Sequence, residues 1–420
     1  MPSLSMLIKP ASGLCNMRCR YCFYADVAEH REVQSYGVMK SGTAEALVKR
    51  ALEYATGAVT FAFQGGEPTL AGTDFYRDFI GLVNRYNTKK IPVSYAMQTN
   101  AYHFPDGLLE LLRDNRFLLG VSLDGTAALH DMNRLDTMGE GTFKRVSENI
   151  KKLDKYKIDY NILTVLTENN AKNIGKIYSF FRSKNYKYLQ FIKHVDGFGD
   201  TEGKSVFSLT PKRYASFLKT AFGYYYDDFK SGKYISVREF DNFVMLAQGR
   251  PAECCGMNGV CPANLVIEAD GGAYPCDFYV LDEWKCGNII DNSVEEIFSS
   301  DNARKFRERS YETDEKCRRC RYYVLCRGGC ARYRGTDENG MHGTGRCPEE
   351  YVSLAKAGLP NYAILQGANS VAAKTLDLQD KTGSLEAGKS ADILVLNKNP
   401  LEDISILRSK ENIAYVVQGV

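Results

Sequence analysis

The sequence predicts an α/β protein: a partial (β/α)6 barrel over residues 1–235, a cysteine-rich domain over 236–350 and a small α+β tail over 351–420. Three observations predict this organisation. Short apolar runs alternate with longer amphipathic runs up to about residue 194, the cysteines fall into two separated groups, and cysteine and histidine are absent after residue 351. Repeated strand–helix units imply parallel strands joined by right-handed crossovers, and six units are too few to close an eight-stranded barrel.

Six apolar runs in the first domain have the length of buried strands. They cover residues 4–9, 58–63, 93–99, 117–123, 160–166 and 188–192. Amphipathic helices are predicted at 42–54, 75–86, 142–156 and 174–184, and an aromatic-rich helix follows at 211–229. In parallel α/β folds the functional residues gather at the carboxyl ends of the strands, so we expect the site at that edge.

Length, charge and cysteine usage limit the function classes. The chain has 420 residues and a net charge of only +3, which does not favour binding to nucleic acid or to an anionic membrane. No apolar run approaches the roughly 20 residues needed to cross a bilayer, and the first residues lack a signal-peptide core. We therefore expect a cytoplasmic monomer. In such a chain, 13 cysteines favour metal ligation over disulfides.

The first cysteine group lies in the loop after the first predicted strand. Cys15, Cys19 and Cys22 are spaced C-x3-C-x2-C, with Tyr21 directly before the last cysteine. Three thiolates in one loop can hold a metal cluster and leave one metal with an open position for a small chelating molecule. Buried free thiols are the alternative interpretation, because unpaired cysteine is among the most buried residue types.

Polar residues follow three of the predicted strands. The segment Gln64-Gly65-Gly66-Glu67-Pro68 ends the second strand, Gln98 ends the third, and Ser122 ends the fourth. The glycines allow close backbone approach, and Glu67 supplies a carboxylate acceptor. Arg134, further along, is either a clamp for a carboxylate or a surface charge. Ordinary turn chemistry is the alternative interpretation of the whole set.

The second cysteine group contains ten cysteines between residues 254 and 347. Cys261 and Cys276 flank a predicted hairpin turn at Asp270-Gly271. A knuckle with the pattern C-x2-C-x5-C-x3-C then begins at Cys317, and Cys347 comes last. Paired cysteines of this kind are also found in structural zinc sites, so the residues alone leave zinc open.

Together these motifs resemble the radical S-adenosylmethionine enzymes, through the C-x3-C-x2-C loop and the GGEP segment. The second cysteine group resembles the SPASM extension of that superfamily, which carries two auxiliary clusters. The sequences of residues 61–72 and 274–281 are similar to those of the anaerobic sulfatase-maturating enzymes, and the similarity covers about residues 3–350. This resemblance implies oxidation of a Cys or Ser residue of a sulfatase peptide to Cα-formylglycine through a 5'-deoxyadenosyl radical.

The resemblance also implies the cofactors, three 4Fe–4S clusters and S-adenosylmethionine, and the residues that bind them. The implied cluster ligands are Cys15, Cys19 and Cys22 for the first cluster, Cys255, Cys261, Cys276 and Cys330 for the second, and Cys317, Cys320, Cys326 and Cys347 for the third. The family spacing favours Cys255 over Cys254, and Cys254 and Cys286 stay unassigned. The implied S-adenosylmethionine contacts are Tyr21, Gly65, Gly66, Glu67, Gln98, Ser122 and Arg134.

Catalysis is assigned to Asp277, directly after Cys276. It would accept the thiol or hydroxyl proton of the target residue; the alternative is a hydrogen-bonding brace for the hairpin. Tyr24 and Gln64 are candidates for positioning the peptide. The expected partners are an unfolded sulfatase segment with the pattern Cys/Ser-x-Pro-x-Arg and an electron donor such as ferredoxin or flavodoxin, without nucleic acid or membrane.

Two other functions share the cluster ligands. One is a different SPASM enzyme that forms thioether or carbon–carbon cross-links in a ribosomal peptide. The other is an iron–sulfur electron carrier without catalysis, which the GGEP segment and the polar strand ends argue against.

The tail resembles the C-terminal segment of amidohydrolases over residues 383–396 and 399–404, with a helix expected from about residue 362 and strands after it. Amidohydrolase metals are held chiefly by histidines of a barrel. The tail contains no histidine, so we predict that it carries no hydrolytic activity.

Overall fold

The computed structural model describes residues 2–198, 205–320, 322–334, 393–397, 399 and 413–417. The chain divides into two compact units, Met1–Cys347 and Pro348–Val420. The strands of the first unit are Leu4–Ile8 (β1), Val59–Phe63 (β2), Val93–Thr99 (β3), Leu118–Ser122 (β4), Tyr160–Leu166 (β5), Tyr188–Lys193 (β6), Ser236–Val237 (β7), Leu265–Ile267 (β8), Gly272–Tyr274 (β9) and Gly287–Asn288 (β10).

The α-helices of the described residues all belong to the first unit. They are Phe23–Glu29 (α1), Ser41–Tyr54 (α2), Gly72–Tyr86 (α3), Leu108–Asp114 (α4), Ala127–His130 (α5), Phe143–Tyr156 (α6), Glu168–Lys172 (α7), Ile174–Ser183 (α8), Pro211–Lys230 (α9), Arg238–Ala247 (α10), Val294–Ser299 (α11), Asp301–Glu308 (α12), Glu315–Arg318 (α13) and Tyr323–Cys326 (α14). No described helix combines the length and apolar character needed to span a membrane.

The strands form one ten-stranded sheet in the order β10-β9-β8-β1-β2-β3-β4-β5-β6-β7. Neighbouring strands from β8 through β1 to β7 are parallel, and β8, β9 and β10 pair antiparallel. The six predicted strands are present, and their ends are shifted by at most one residue. The α/β prediction is therefore confirmed, with an open sheet that runs from β10 to β7.

The hairpin of the second cysteine group joins this sheet, which the sequence did not indicate. Strand β8 pairs in parallel with β1, with Met6 opposite Leu265 and Ile8 opposite Ile267. The predicted turn lies between β8 and β9, and Gly271 has a left-handed φ of +89° there. The second cysteine region is therefore a direct continuation of the edge of the barrel sheet.

An aromatic core fills the space between the centre of the sheet and α3. The ring centroid of Phe63 lies 5.1 Å from those of Tyr76 and Phe79, and 6.1 Å from that of Phe117. All four side chains are at most 2% exposed. Burial of rings of this size provides a large part of the hydrophobic stabilisation of the sheet and fixes the ends of β2 and its neighbours.

The second unit is described only at two strands, Ile393–Leu396 (β11) and Ile413–Val417 (β12), which pair antiparallel. The helix predicted from about residue 362 lies outside the described residues. The predicted boundaries at 235 and 350 stay predictions.

Candidate active site

The first cysteine loop is held by the GGEP segment at the end of β2. The amide of Gly66 donates to the carbonyl of Ser12 at 2.9 Å, and the amide of Glu67 donates to that of Leu14 at 2.7 Å. A Cβ atom at Gly66 would lie 2.1 Å from the Leu14 carbonyl oxygen, and Gly65 has a φ of +123°. Both glycines are therefore required by the close backbone approach that positions the cysteine loop.

The three thiols of this loop are grouped closely enough to influence one another. Burial, followed by the negative charges of Glu67 and Cys22, raises the pKa of Cys15 to about 11. Burial also raises the pKa of Cys19 to about 12, with Cys22 and Cys15 adding to the effect and Arg134 opposing it. Iron would reverse these shifts, because a coordinating thiol is deprotonated outright.

The Cys15 sulfur also accepts hydrogen bonds. The backbone amide of Met17 lies 3.4 Å from Sγ, and Nδ2 of Asn100 lies 3.7 Å from it. Hydrogen bonds to cluster sulfurs are one of the means by which a protein sets a reduction potential. Asn100, which follows β3, is one of the polar residues expected at the ends of the strands, and it contacts the cysteine loop.

Glu67 is buried and fully engaged in the fold. Its Oε1 atom accepts hydrogen bonds from the amide and hydroxyl of Thr69 and from the hydroxyl of Thr99, at 3.1, 2.7 and 2.8 Å. Its Oε2 atom accepts from the amide of Asn100 at 2.8 Å. Burial raises the pKa of Glu67, while these hydrogen bonds lower it. The carboxylate thereby ties the end of β2 to the end of β3.

The other predicted contacts of the cofactor lie at the carboxyl edge of the sheet. Gln98 is the last residue but one of β3, and Ser122, 8% exposed, ends β4. Arg134 is buried, and its Nε lies 3.2 Å from Oδ2 of Asp124. The hydroxyl of Tyr21 also donates to that oxygen, and the Arg134 guanidinium lies 5.5 Å from the Tyr21 ring centroid. Arg134 is therefore part of a buried network rather than a surface charge.

Asp277 lies beside Tyr24 and Gln64, although both are more than 200 residues away in sequence. The Tyr24 hydroxyl donates to Oδ2 of Asp277 at 2.6 Å. The Gln64 amide nitrogen donates to the same oxygen at 3.1 Å and to the Tyr24 hydroxyl at 2.5 Å. The other oxygen, Oδ1, is buried and accepts no hydrogen bond from any residue that the structure describes. Burial raises the pKa of Asp277, and Lys9 opposes that shift.

Lys9 lies in a buried ionic group at the junction of β1 and β8. Its Nζ is 3.7 Å from Oε2 of Glu268 and 4.9 Å from the ring centroid of Tyr24. Arg31 donates to the same Glu268 oxygen at 2.7 Å, and all three side chains are at most 3% exposed. Because these partners are distant in sequence, nothing in the local pattern around Lys9 predicted this position.

Four thiols of the second cysteine group come together near Asp277. Burial and then the charges of Cys254, Cys330 and Cys261 raise the pKa of Cys255 to about 12. Burial raises the pKa of Cys276 well above its usual value, and Cys330 and Cys255 add to the effect. A Cβ atom at Gly256 would lie 3.1 Å from Cβ of Cys330. This grouping contains the four residues assigned to the second cluster.

The knuckle forms a further thiol group. Burial raises the pKa of Cys326, and the charges of Cys317 and Cys320 add to the effect. Cys347, the predicted fourth ligand, lies outside the described residues. Of the two unassigned cysteines, Cys254 adjoins the second group, and the thiol of Cys286 donates to the carbonyl of Trp284 at 3.3 Å.

The donor chemistry of these groups fits iron–sulfur clusters. Thiolate is the ligand such clusters use, and in each group the charges of neighbouring thiols raise the pKa of at least one member. The orphaned Oδ1 atom of Asp277 has the capacity to accept a proton or a hydrogen bond from a bound molecule. Cysteine groups beside a carboxylate with an unused acceptor atom, Oδ1 of Asp277, suit redox chemistry on a substrate that must also lose a proton.

Comparison with known families and structures agrees with this chemistry. Residues 10–181 match the radical SAM superfamily, residues 243–321 match an iron–sulfur cluster-binding domain termed SPASM, and residues 325–419 match the amidohydrolase family. A cysteine-type anaerobic sulfatase-maturating enzyme of Clostridium novyi is 46% identical over 81% of this chain and 92% of its own length. One from Clostridium perfringens is 42% identical over the same shares.

A solved structure is similar over most of the chain. Native anSMEcpe with bound AdoMet and Cp18Cys peptide is 38% identical, with a TM-score of 0.82, over 89% of this chain and 100% of its own.

The sheet, the cysteine loop and the two domain matches define a radical S-adenosylmethionine enzyme with a SPASM extension. Within that class, the chain belongs to the anaerobic sulfatase-maturating enzymes. The predicted family is therefore confirmed, and membership implies 4Fe–4S clusters, S-adenosylmethionine and a peptide partner.

Proposed function

We propose that this enzyme oxidises a cysteine residue, in a sulfatase segment of the pattern Cys-x-Pro-x-Arg, to formylglycine. The preference for cysteine over serine is supported by the two relatives at 46% and 42% identity, which are both cysteine-type enzymes. The observation that carries the mechanism is the buried Oδ1 atom of Asp277, which has no partner among the described residues.

Asp277 accepts the proton of the target thiol through Oδ1. Its second oxygen is held by Tyr24 and Gln64, so the carboxylate is fixed in orientation before the substrate arrives. Preorganisation of this kind raises the effectiveness of a general base. When bound, the first cluster and S-adenosylmethionine supply the radical that removes hydrogen from the target Cβ. Both amide hydrogens of Gln64 are engaged with Asp277 and Tyr24, so its side-chain carbonyl oxygen is the atom that can orient the peptide.

The cluster ligands follow the three thiol groups. Cys15, Cys19 and Cys22 hold the cluster that binds S-adenosylmethionine. The two auxiliary clusters take the remaining eight, in the sets Cys255, Cys261, Cys276 and Cys330, and Cys317, Cys320, Cys326 and Cys347. The mutual electrostatic effects within the described members of each set support this division.

S-Adenosylmethionine is held along the edge of the sheet by Gly65, Gly66, Glu67, Gln98 and Ser122, with Tyr21 and Arg134 beside the cysteine loop. Glu67 can contribute only through Oε2, because Oε1 already accepts three hydrogen bonds. The enzyme acts as a cytoplasmic monomer and receives electrons from a small carrier of the ferredoxin or flavodoxin type.

Mass spectrometry tests the proposal. Protein prepared anaerobically should contain roughly twelve irons if all three clusters are cubanes. With reductant and S-adenosylmethionine it should convert the CH2SH group of a Cys-x-Pro-x-Arg peptide to CHO. The same peptide with serine should react more slowly. No mass change with either peptide would contradict the proposed function, and equal rates would contradict the preference for cysteine.

A further inference from the structure

The knuckle carries a concentration of positive charge that the reaction at Asp277 does not use. Residues 315–334 contain seven basic and one acidic side chain, whereas the whole chain has a net charge of only +3. Where such side chains reach the surface, their charge attracts acidic partners and accelerates their association.

The backbone brings the described part of this segment into one compact run of turns. The amide of Arg318 donates to the carbonyl of Asp314, that of Arg319 to Glu315, and that of Arg327 to Tyr323. Further turn hydrogen bonds link Cys320 to Cys317, Cys326 to Tyr322 and Gly329 to Cys326. The basic residues are therefore held close to the knuckle thiols.

Some of the arginines are internal, and others face solvent. Arg334 donates to five backbone carbonyls, and Arg332 donates to the carbonyl of Asp196 at 2.6 Å. Carbonyls carry no net charge, so these hydrogen bonds do not neutralise the two guanidinium groups. Arg318 and Arg319 are exposed. Arg319 forms an ion pair with Glu315, and Arg318 has no ion-pair partner within the described ranges. Val324, 57% exposed, adds an apolar contact to the same surface.

The cysteines of the knuckle connect this segment with the thiol group beside Asp277. Cys320 and Cys326 are half-buried beneath it, and Cys330 follows Cys326 by one further turn. Cys330 belongs to the group that includes Cys276, and Cys276 is the residue directly before Asp277. The basic surface is thus the outer end of a series of cluster ligands whose inner end adjoins the active site.

We propose that the exposed face of the knuckle, formed by Arg318, Arg319 and Val324, is the docking surface for a small acidic electron-carrying protein. This inference rests on the proposed function, which requires electron exchange with a carrier. Docking transfers one electron: the reduced carrier is oxidised by one electron, and the enzyme gains it. Redox partners usually form small, transient, charge-steered interfaces, which matches two exposed arginines around one exposed valine.

The test measures binding and turnover separately in the holoenzyme with all clusters loaded. The probe is reduced flavodoxin, a small acidic flavoprotein, and dithionite serves as a chemical reductant that needs no docking. The variants are Arg318→Glu/Arg319→Glu, the milder Arg318→Gln/Arg319→Gln and the control Lys151→Glu/Lys152→Glu, which reverses two exposed charges on α6. Iron content of each variant verifies that the clusters are intact.

We expect the Glu variant to raise the Kd for flavodoxin about tenfold or more at low salt and only about twofold at 0.5 M salt. The Gln variant should be intermediate, and the α6 control should stay within about twofold of the native Kd. Turnover driven by dithionite should match the native rate in all variants. If the Glu variant loses iron, the Gln variant alone decides the matter.

An unchanged Kd in the Gln and Glu variants would overturn the proposal. A raised KM for the sulfatase peptide under dithionite would also overturn it, because the surface would then bind the substrate instead of the carrier. Failure of the proposed function has a different signature: native enzyme would form no aldehyde with dithionite, while flavodoxin binding could still be measured.

Discussion

Two carboxylates with buried oxygens, at different places along the sheet, differ in how completely their oxygens are hydrogen-bonded. Glu67, after β2, accepts four hydrogen bonds shared between both oxygens. Asp277, after β9, accepts two hydrogen bonds on Oδ2 alone, and Oδ1 accepts none from the described residues. The difference teaches that burial alone does not mark a catalytic acid. Asp277 differs from Glu67 in having an unused acceptor atom, and it directly follows Cys276, a candidate cluster ligand.

The largest effect should follow replacement of Asp277. Asp277→Asn keeps the size of the side chain and an oxygen that can accept from Tyr24 and Gln64, but it removes the proton acceptor. We expect formylglycine formation to fall by about 10²- to 10⁴-fold, the usual contribution of a positioned general base. Peptide turnover is measured by mass spectrometry, with iron content and thermal midpoint as controls. A native rate in this variant would show that the carboxylate is a brace.

Glu67→Gln should mainly reduce stability, whereas Asp277→Asn should mainly reduce turnover. One oxygen becomes an amide that cannot accept, so a buried donor from Thr69, Thr99 or Asn100 loses its partner. We expect a loss of about 2–4 kcal/mol in stability, because each buried, charge-assisted hydrogen bond has a large effect when one side is removed. Anaerobic denaturation of Glu67→Gln and Asp277→Asn in parallel makes the comparison. Equal stability of the two variants would contradict the view that Glu67 has a structural role that Asp277 lacks.

Tyr24→Phe tests whether the hydrogen bonds to Asp277 serve catalysis. The change removes the donor to Oδ2 and the acceptor for the Gln64 amide, and it leaves the ring below Lys9. We expect turnover to fall about tenfold, which corresponds to one hydrogen bond of roughly 1.4 kcal/mol. The KM for the peptide and the thermal midpoint should change little. A loss of stability as large as that of Glu67→Gln, with turnover retained, would indicate a structural role.

The sequence predicts the local features of this molecule, but not the contacts between residues that are far apart along the chain. The strands, the predicted helices and the hairpin at Gly271 depend on periodicity and turn chemistry, which lie within short windows. Helix α1 was missed because the cysteine loop runs directly into it at Cys22. The pairing of β1 with β8 and the contacts of Asp277 join residues more than 200 positions apart, where no local pattern is informative. Family resemblance pointed to Asp277, but the unequal hydrogen bonding of its two oxygens is visible only in the three-dimensional structure.

Glu239, in the first turn of α10, is a third carboxylate for this comparison, and it accepts fewer hydrogen bonds than Glu67. Both of its oxygens share one donor, the amide of Phe191, at 3.1 and 3.4 Å. Burial raises the pKa of Glu239 to about 7 from 4.5. The hydrogen bonds from its own backbone amide and from that of Phe191 oppose this shift, as do the charges of Arg238 and Lys193. At a pH between 4.5 and about 7, Glu239 is ionised in the unfolded chain and protonated in the folded chain.

Stability should therefore decrease as pH rises from about 4.5 to about 7, and the contribution of neutral Glu239 should be lost above that range. Glu239→Gln removes the titration and keeps an acceptor for Phe191. We expect the variant to gain on the order of 1 kcal/mol relative to the native enzyme at pH 8, and little at pH 5. Thermal midpoints at one scan rate measure the difference. The control is Asp74→Asn, at an exposed position of α3. An equal shift at both pH values would show that the folded protein already ionises Glu239, and that the backbone amides are sufficient to stabilise its charge.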